Sequence, residues 1–230
     1  MTPTATEAVR DARQSPSGSS HVCESVLLGR PASRFAKRAL DLMVAIPGLV
    51  VLSPFLLIVA MLVKLTSRGP VLYPWHVVGR GGRPFRGYKF RTMILFADSM
   101  QEKLNEHNEM KGPVFKMRRD PRVTTFGRFL RKYSIDELPQ LWSVIKGDMS
   151  LVGPRPAFAS EWERYEPWQR RRLSVTPGIT CLWQINGRNG IREFDDWVRL
   201  DLEYIDHWSF GLDVLILART IVAVLRGTGI

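Results

Sequence analysis

Over the first thirty positions apolar residues follow no period and Ser, Thr, Ala, Arg and Gly dominate, which predicts a mobile tail over residues 1–30. The pattern then inverts. Between Asp41 and Lys64 lie 22 consecutive residues without a charge, enough for one helix to cross a hydrocarbon core of about 30 Å. Two features oppose a simple span. Arg30, Arg34, Lys37 and Arg38 precede the run while Lys64 and Arg68 follow it, so a span would carry one basic cluster to the disfavoured side of the membrane. Pro54, after Ser53, removes a backbone donor at mid-run and frees the Val50 carbonyl, with Pro47-Gly48 a second weak point. A helix broken there has arms of about 11 residues, or about 16 Å, each fitting one leaflet. Ser53 can give its hydroxyl to a freed carbonyl. Residues 31–68 therefore read as a basic flank and a re-entrant membrane helix, with an ordinary span as the alternative.

From residue 69 to 230 the pattern is that of a soluble domain. Leu72-Tyr73 and Pro84 to Phe90 predict short strands around the turn Gly79-Arg80-Gly81-Gly82. Ala97 to Met110 reads as a solvated surface helix, and Phe126 to Lys132 as a short basic one. Ile135 to Lys146 reads as another helix, stopped by Gly147. Near the end, Val214, Leu217, Ala218, Ile221, Val224 and Leu225 recur at helical spacing with Asp213, Arg219, Thr220 and Arg226 elsewhere on the wheel. That amphipathic face either packs on the core or lies in a membrane interface, the second favoured by nearby Trp197, Trp208 and Phe210. Arg170-Arg171-Arg172, after Trp162, Tyr165 and Trp168, invites the same interfacial reading, with a plain solvated surface as the alternative. The fold class is thus a helix-rich α/β domain with amphipathic interfacial helices, joined to a membrane helix.

Charge narrows the partners. With 33 Lys+Arg against 22 Asp+Glu, the formal charge is +11, which suits nucleic acid, an acidic membrane or a phosphorylated small molecule. No nucleic-acid motif is visible. Cys23 and Cys181 offer no disulfide framework, and His21, His76, His107 and His207 have no ligand-like spacing. Neither Gly-x-Gly-x-x-Gly nor a Walker-type loop occurs, so phosphates would be held by side chains, arginine foremost.

The densest chemistry lies in Ser134 to Pro156. Adjacent Asp136 and Glu137 stand close in sequence to Arg128, Arg131 and Lys132, and Arg155 follows between Pro154 and Pro156. Two hard oxygen ligands among cations suit a phosphorylated substrate and a divalent metal. The same stretch has the form of a capping box, with Ser134 as N-cap and Glu137 at N3. A carboxylate there, in the field of helix amides and cations, is expected to have a lowered pKa and stay ionised. Lys37 and Arg38 are spaced to pair with Asp41 on one helix face.

These residues carry a resemblance. Lys37-Arg38-Ala39-Leu40-Asp41, Ser53-Pro54, Tyr88-Lys89-Phe90-Arg91-Thr92-Met93, Asp120-Pro121-Arg122-Val123-Thr124, Ser134 to Pro156, Pro177-Gly178-Ile179-Thr180, Trp183-Gln184 and Asn186-Gly187-Arg188 occur in this order. From Arg34 onward the chain resembles the monotopic bacterial sugar transferases, polyprenyl-phosphate phosphoglycosyl transferases that start exopolysaccharide, capsule or O-antigen assembly. The resemblance implies a re-entrant helix broken at Ser53-Pro54 and a catalytic domain on the cytoplasmic face of the bacterial inner membrane. It implies that Asp136 attacks the sugar-bearing phosphate of a UDP-sugar, expelling UMP and leaving a covalent phosphosugar that undecaprenyl (polyprenyl) phosphate then accepts. Glu137 would complete the dyad and help place Mg²⁺, with Asp136 as its other ligand. Lys89, Arg131, Arg155 and Arg188 would bind diphosphate, nucleotide or lipid phosphate. Without the membrane helices that precede the domain in larger relatives, the chain reads as a minimal catalytic unit. Where members carry Arg-Gln-x-Arg, this chain has Pro74-Trp75-His76-Val77, a departure expected to leave the dyad untouched. Rival readings are a phosphorylated-lipid hydrolase and a non-catalytic basic protein binding membrane lipid or nucleic acid.

Overall fold

Residues 31–187 and 190–229 are described by a computed structural model; the N-terminal tail, Arg30 and Arg188 lie outside the described residues. Helix α1, Pro31–Thr66, runs through both Pro47 and Pro54 with helical backbone. The Val50 carbonyl, which Pro54 cannot serve, accepts the Ser53 hydroxyl at 2.7 Å. Ser53 thus meets the freed acceptor locally, without an interruption of the helix.

Both ends of α1 dock on the same domain. Near its start, buried Asp41 accepts from Ser150 Oγ and Leu151 N, each at 2.9 Å, and Ala45 enters the core. Near its end, Val59 and Val63 are buried against Phe90 and Leu130. Between these anchorages Ile46, Val50, Val51, Phe55, Leu57 and Ile58 are exposed. The i+3 and i+4 pairing anticipated for Lys37, Arg38 and Asp41 is replaced by longer reaches. Lys37 Nζ donates to Asp213 Oδ2 at 2.7 Å and to the Val152 carbonyl at 2.9 Å. Arg38 donates to the Val144 and Ile145 carbonyls at 2.6 and 2.7 Å. These carbonyls close α3, Leu141–Lys146, where Gly147 N serves only the Val144 carbonyl, so Arg38 adds side-chain donors at the helix C-terminus.

Strands β1, Leu72–Val78, and β2, Pro84–Phe90, pair antiparallel with Leu72 opposite Phe90 and Val78 opposite Pro84. The tight connection is closed by Gly79 N donating to Arg83 O at 2.8 Å. Strand β3, Ser150–Val152, is followed by β4, Ala157–Phe158, which adds to β1 in the order β2-β1-β4. Strand β5, Gly178–Thr180, lies parallel to β3. Here Gly153 and Gly178 face each other so closely that a Cβ on Gly178 would overlap Gly153 backbone atoms. Only glycine permits this approach, which lets Gly153 N donate to Thr180 O and Gly178 N to Pro154 O, both at 2.9 Å.

The helical half is built on α4, Phe194–Asp206, and α5, Phe210–Leu225. Trp197 and Trp208 are buried, Trp197 stacking on Trp183 at 4.2 Å and Trp208 donating to Asp213 at 3.1 Å. Their anticipated interfacial role is therefore replaced by core packing. Tyr165 and Arg172 are buried too, Arg172 forming an ion pair with Asp201 at 2.6 Å, while Trp168 remains partly exposed. The anticipated face of α5 turns out to be rotated. Asp213 and Ile216 are buried with Leu212 and Leu217 against the core, whereas Ile221 and Leu225 are 62% and 75% exposed. Asp213 can sit inside because Lys37 neutralises it, a partner 176 residues away that helical periodicity does not reveal. The segment expected as one helix from Ala97 to Met110 forms two 3₁₀ turns, Ala97–Met100 and Glu102–His107.

Candidate active site

Four chain segments converge on the acidic pair. The basic helix α2, Thr125–Lys132, is capped by Thr124 Oγ1, which accepts from Gly127 N at 2.9 Å. It delivers Arg131, whose Nε donates to Thr92 Oγ1 at 2.9 Å. The 3₁₀ helix Ile135–Gln140 then carries Asp136 and Glu137. Its tight form follows from Pro139, which has no N–H to give the Ile135 carbonyl an α-helical bond. Ser134 adopts φ 53°, ψ 23°, and makes no side-chain capping bond, so the anticipated capping box does not form: a capping residue needs extended backbone. The stop at Gly147, with φ 90°, is as anticipated.

Glu137 is buried and its Oε1 accepts from Lys89 Nζ on β2 at 2.9 Å and from Arg155 Nη1 at 3.3 Å. Arg155 reaches it from the Gly-Pro-Arg-Pro loop that the Gly153–Gly178 approach pins down. Behind Arg131 stands a bidentate pair, Arg122 Nε and Nη2 donating to Asp120 at 2.9 and 2.7 Å. Against the effect of burial, the Arg122 hydrogen bonds hold Asp120 below the ordinary carboxylate range.

Asp136 departs from expectation. Burial, and then the neighbouring Glu137 charge, push its pKa up, outweighing Lys89, Arg131 and Arg155. Burial pushes Lys89 and Arg131 the other way, downward. The site is a desolvated cluster of opposed charges. Lys89, Arg131, Arg155, Asp136 and Glu137 are brought together; Ser53 and Pro54 belong to α1, and Arg188 lies outside the described residues. Arg128 instead donates to Thr125 at 3.3 Å.

Sequence reasoning missed Trp75. Its buried ring lies beneath both cations, Lys89 Nζ at 3.9 Å and Arg155 Cζ at 5.6 Å from the centroid, and is braced edge-on by Phe158 at 5.9 Å. The departure Pro74-Trp75-His76-Val77 therefore reaches the dyad through the cations that hold Glu137, contrary to expectation. In the sequence Trp75 stood only as an aromatic residue before the glycine turn; its place opposite Gly87, two residues before Lys89, comes from the strand pairing.

The profile of the family described as bacterial sugar transferase matches residues 32–227. The chain belongs to that family. Among relatives of this chain, galactosyl transferase CpsE of Streptococcus agalactiae is 48% identical over 84% of this chain and 43% of its own length. The undecaprenyl-phosphate galactose phosphotransferase of Salmonella typhimurium is 41% identical over 88% of this chain and 43% of its own. Exopolysaccharide production protein ExoY of Rhizobium meliloti is 38% identical over 96% and 99%. The chain thus spans less than half of the first two relatives and nearly all of the third.

As to a metal, no trio of His, Cys, Asp or Glu is assembled among the described residues. The donor set at Asp136 and Glu137 is purely carboxylate. That suits Mg²⁺, which takes one or two protein carboxylates and completes its octahedron with waters and substrate phosphate oxygens.

Proposed function

We propose that this chain transfers a sugar 1-phosphate from a UDP-sugar to undecaprenyl phosphate and releases UMP, as an early membrane step of exopolysaccharide or capsule synthesis. The observation that carries the reading is the convergence of Lys89, Arg131 and Arg155 on the Asp136–Glu137 pair. The names of the relatives, which include an undecaprenyl-phosphate galactose phosphotransferase, supply the substrate classes.

In the first step an Asp136 carboxylate oxygen forms a bond to the sugar-bearing phosphorus while the bond to the UMP oxygen breaks. An aspartyl phosphosugar results. In the second, a phosphate oxygen of the polyprenyl phosphate attacks that phosphorus and the carboxylate leaves, giving polyprenyl diphosphosugar. Both attacks bring an anion to an anion, and bidentate guanidinium and ammonium groups at Arg155, Arg131 and Lys89 reduce that repulsion. Mg²⁺, bound by Asp136 and Glu137, would neutralise the diphosphate further.

The lipid acceptor requires that the site face a membrane. If α1 crossed a bilayer, its two ends would lie in different compartments, yet Asp41 and Val63 pack on one domain. This supports a re-entrant α1 whose exposed middle enters one leaflet, with Ser53 and Pro54 at its turning region. The basic flanks favour the cytoplasmic face of the inner membrane for the domain.

The test is UMP release from a panel of UDP-sugars by the purified chain with undecaprenyl phosphate and Mg²⁺. Sustained release should require the lipid, with at most one UMP per chain released in its absence. Radiolabelled sugar should remain on the protein, at Asp136, when the lipid is withheld. Free sugar phosphate appearing without lipid would identify a hydrolase instead.

A further inference from the structure

Beside the C-terminal end of α1 the chain exposes Ile94, Leu95 and Phe96 in succession, Phe96 being 82% exposed. This loop is held tightly at its base. Ile94 N donates to Arg122 O at 2.9 Å, and Met93 bridges Val123. Arg91 ties the preceding strand to the end of α1, Nη2 donating to the Ser67 carbonyl at 2.7 Å and its hydroxyl at 2.8 Å. Leu95 lies so close to Gly69 that a side chain there would collide with it. The tip is therefore presented by a firm frame.

Phe96 adopts φ 61°, ψ 22°, a left-handed conformation unusual for a bulky residue. That strain directs an aromatic ring outward and gains no burial in return. Adjacent surface on α1 continues the apolar patch through exposed Leu62 and Leu65, while Lys64 and Arg68 are also exposed there. Helix α2, whose Leu130 packs on Val59 and Val63, begins next to the same loop and exposes Phe129. Apolar tip, basic collar and continuity with the apolar helix match the boundary between lipid headgroups and acyl chains.

We propose that Ile94-Leu95-Phe96 is a wedge that inserts into the lipid surface beside the end of α1, giving the catalytic domain a second membrane attachment. It rests on the membrane reading of α1 given above. The wedge stands next to the strand end from which Lys89 reaches Glu137, so its insertion fixes the height and tilt of the site above the lipid.

Nitroxide labels test this on the full chain in vesicles of equimolar phosphatidylethanolamine and phosphatidylglycerol. Single cysteines are placed by Val51→Cys, Leu95→Cys, Phe96→Cys and Glu102→Cys in a Cys23→Ser, Cys181→Ala background. Labels at 51, 95 and 96 should collide with dissolved oxygen and be shielded from a water-soluble nickel chelate, and the label at 102 should show the reverse. Deep burial at 51 with water-like behaviour at 95 and 96 overturns the wedge and spares the membrane reading. Water-like behaviour at 51 overturns both. Shielding of 95 and 96 from both reagents marks a protein contact and also overturns the wedge.

Discussion

In the proposed reaction Asp136 is the residue on which the chemistry turns, and its surroundings raise its pKa through burial and Glu137. Asp136→Asn keeps the shape and removes the nucleophile, so UMP release should fall by at least ~10³-fold, as for a lost covalent nucleophile, with unchanged thermal unfolding. Retained turnover would move the reaction elsewhere. Trp75 makes a second, more graded case. A desolvated ammonium over an aromatic face gains about 0.5–2 kcal/mol. Trp75→Leu should therefore raise KM for the UDP-sugar by roughly 2- to 30-fold, with Trp75→Phe between. Progressive fluorination of the indole weakens its quadrupole at nearly constant shape, so KM should climb with each fluorine. A flat series would reduce Trp75 to a packing residue. Dense local motifs such as Asp136-Glu137 and Asp120-Pro121-Arg122 were legible in the sequence, because residues that act together are adjacent there. Trp75 was not, since a ring beneath two cations leaves no spacing rule.

Among elements, the strands were legible from the glycine turn between them, although β1 runs on to Val78, and helix α2 as a short basic segment. The burial face of α5 was not, because its inward position is an aspartate whose partner lies at the other end of the chain. Nor was the 3₁₀ form of Ile135–Gln140, where Pro139 overrides a capping pattern. The β3–β5 pairing offers a direct check. A methyl on Gly178 would strike Gly153 backbone, so Gly178→Ala should destabilise the domain by about 1–3 kcal/mol through overpacking and loosen Arg155. Lower midpoint denaturant concentration and a raised donor KM should appear together. In α1, Pro54→Ala restores the donor that Val50 lacks. The added bond should favour a straighter helix, and a cysteine at position 34 should become partly reactive to an impermeant thiol reagent outside intact cells. No external labelling in the variant would mean that Pro54 does not set the topology.

At the scale of the whole molecule, the membrane segment and the catalytic domain are fastened through a buried ionic cluster. Lys37, Tyr204 and Trp208 all donate to Asp213, which is fully buried. Asp213→Ala would strand the Lys37 charge, at a cost of about 3–5 kcal/mol. Chemical unfolding in detergent should show that loss, and UMP release should fall because α1 no longer holds the domain in place. Replacing Lys37 and Asp213 together by Met and Leu should recover much of the stability, which separates the stranded charge from a loss of volume.

The Lys37–Asp213 bond also imposes an order in time. A ribosome makes Lys37 long before Asp213, 176 residues later, so α1 reaches the membrane while its fastening is still unmade. Until α5 is complete, the helix start is held only by the earlier contacts of Arg38 with the Val144 and Ile145 carbonyls and of Asp41 with Ser150 and Leu151, without its buried ion pair. Full commitment to one face of the bilayer thus waits for α5, and a chain halted before Phe210 should show a fraction of α1 in the wrong orientation.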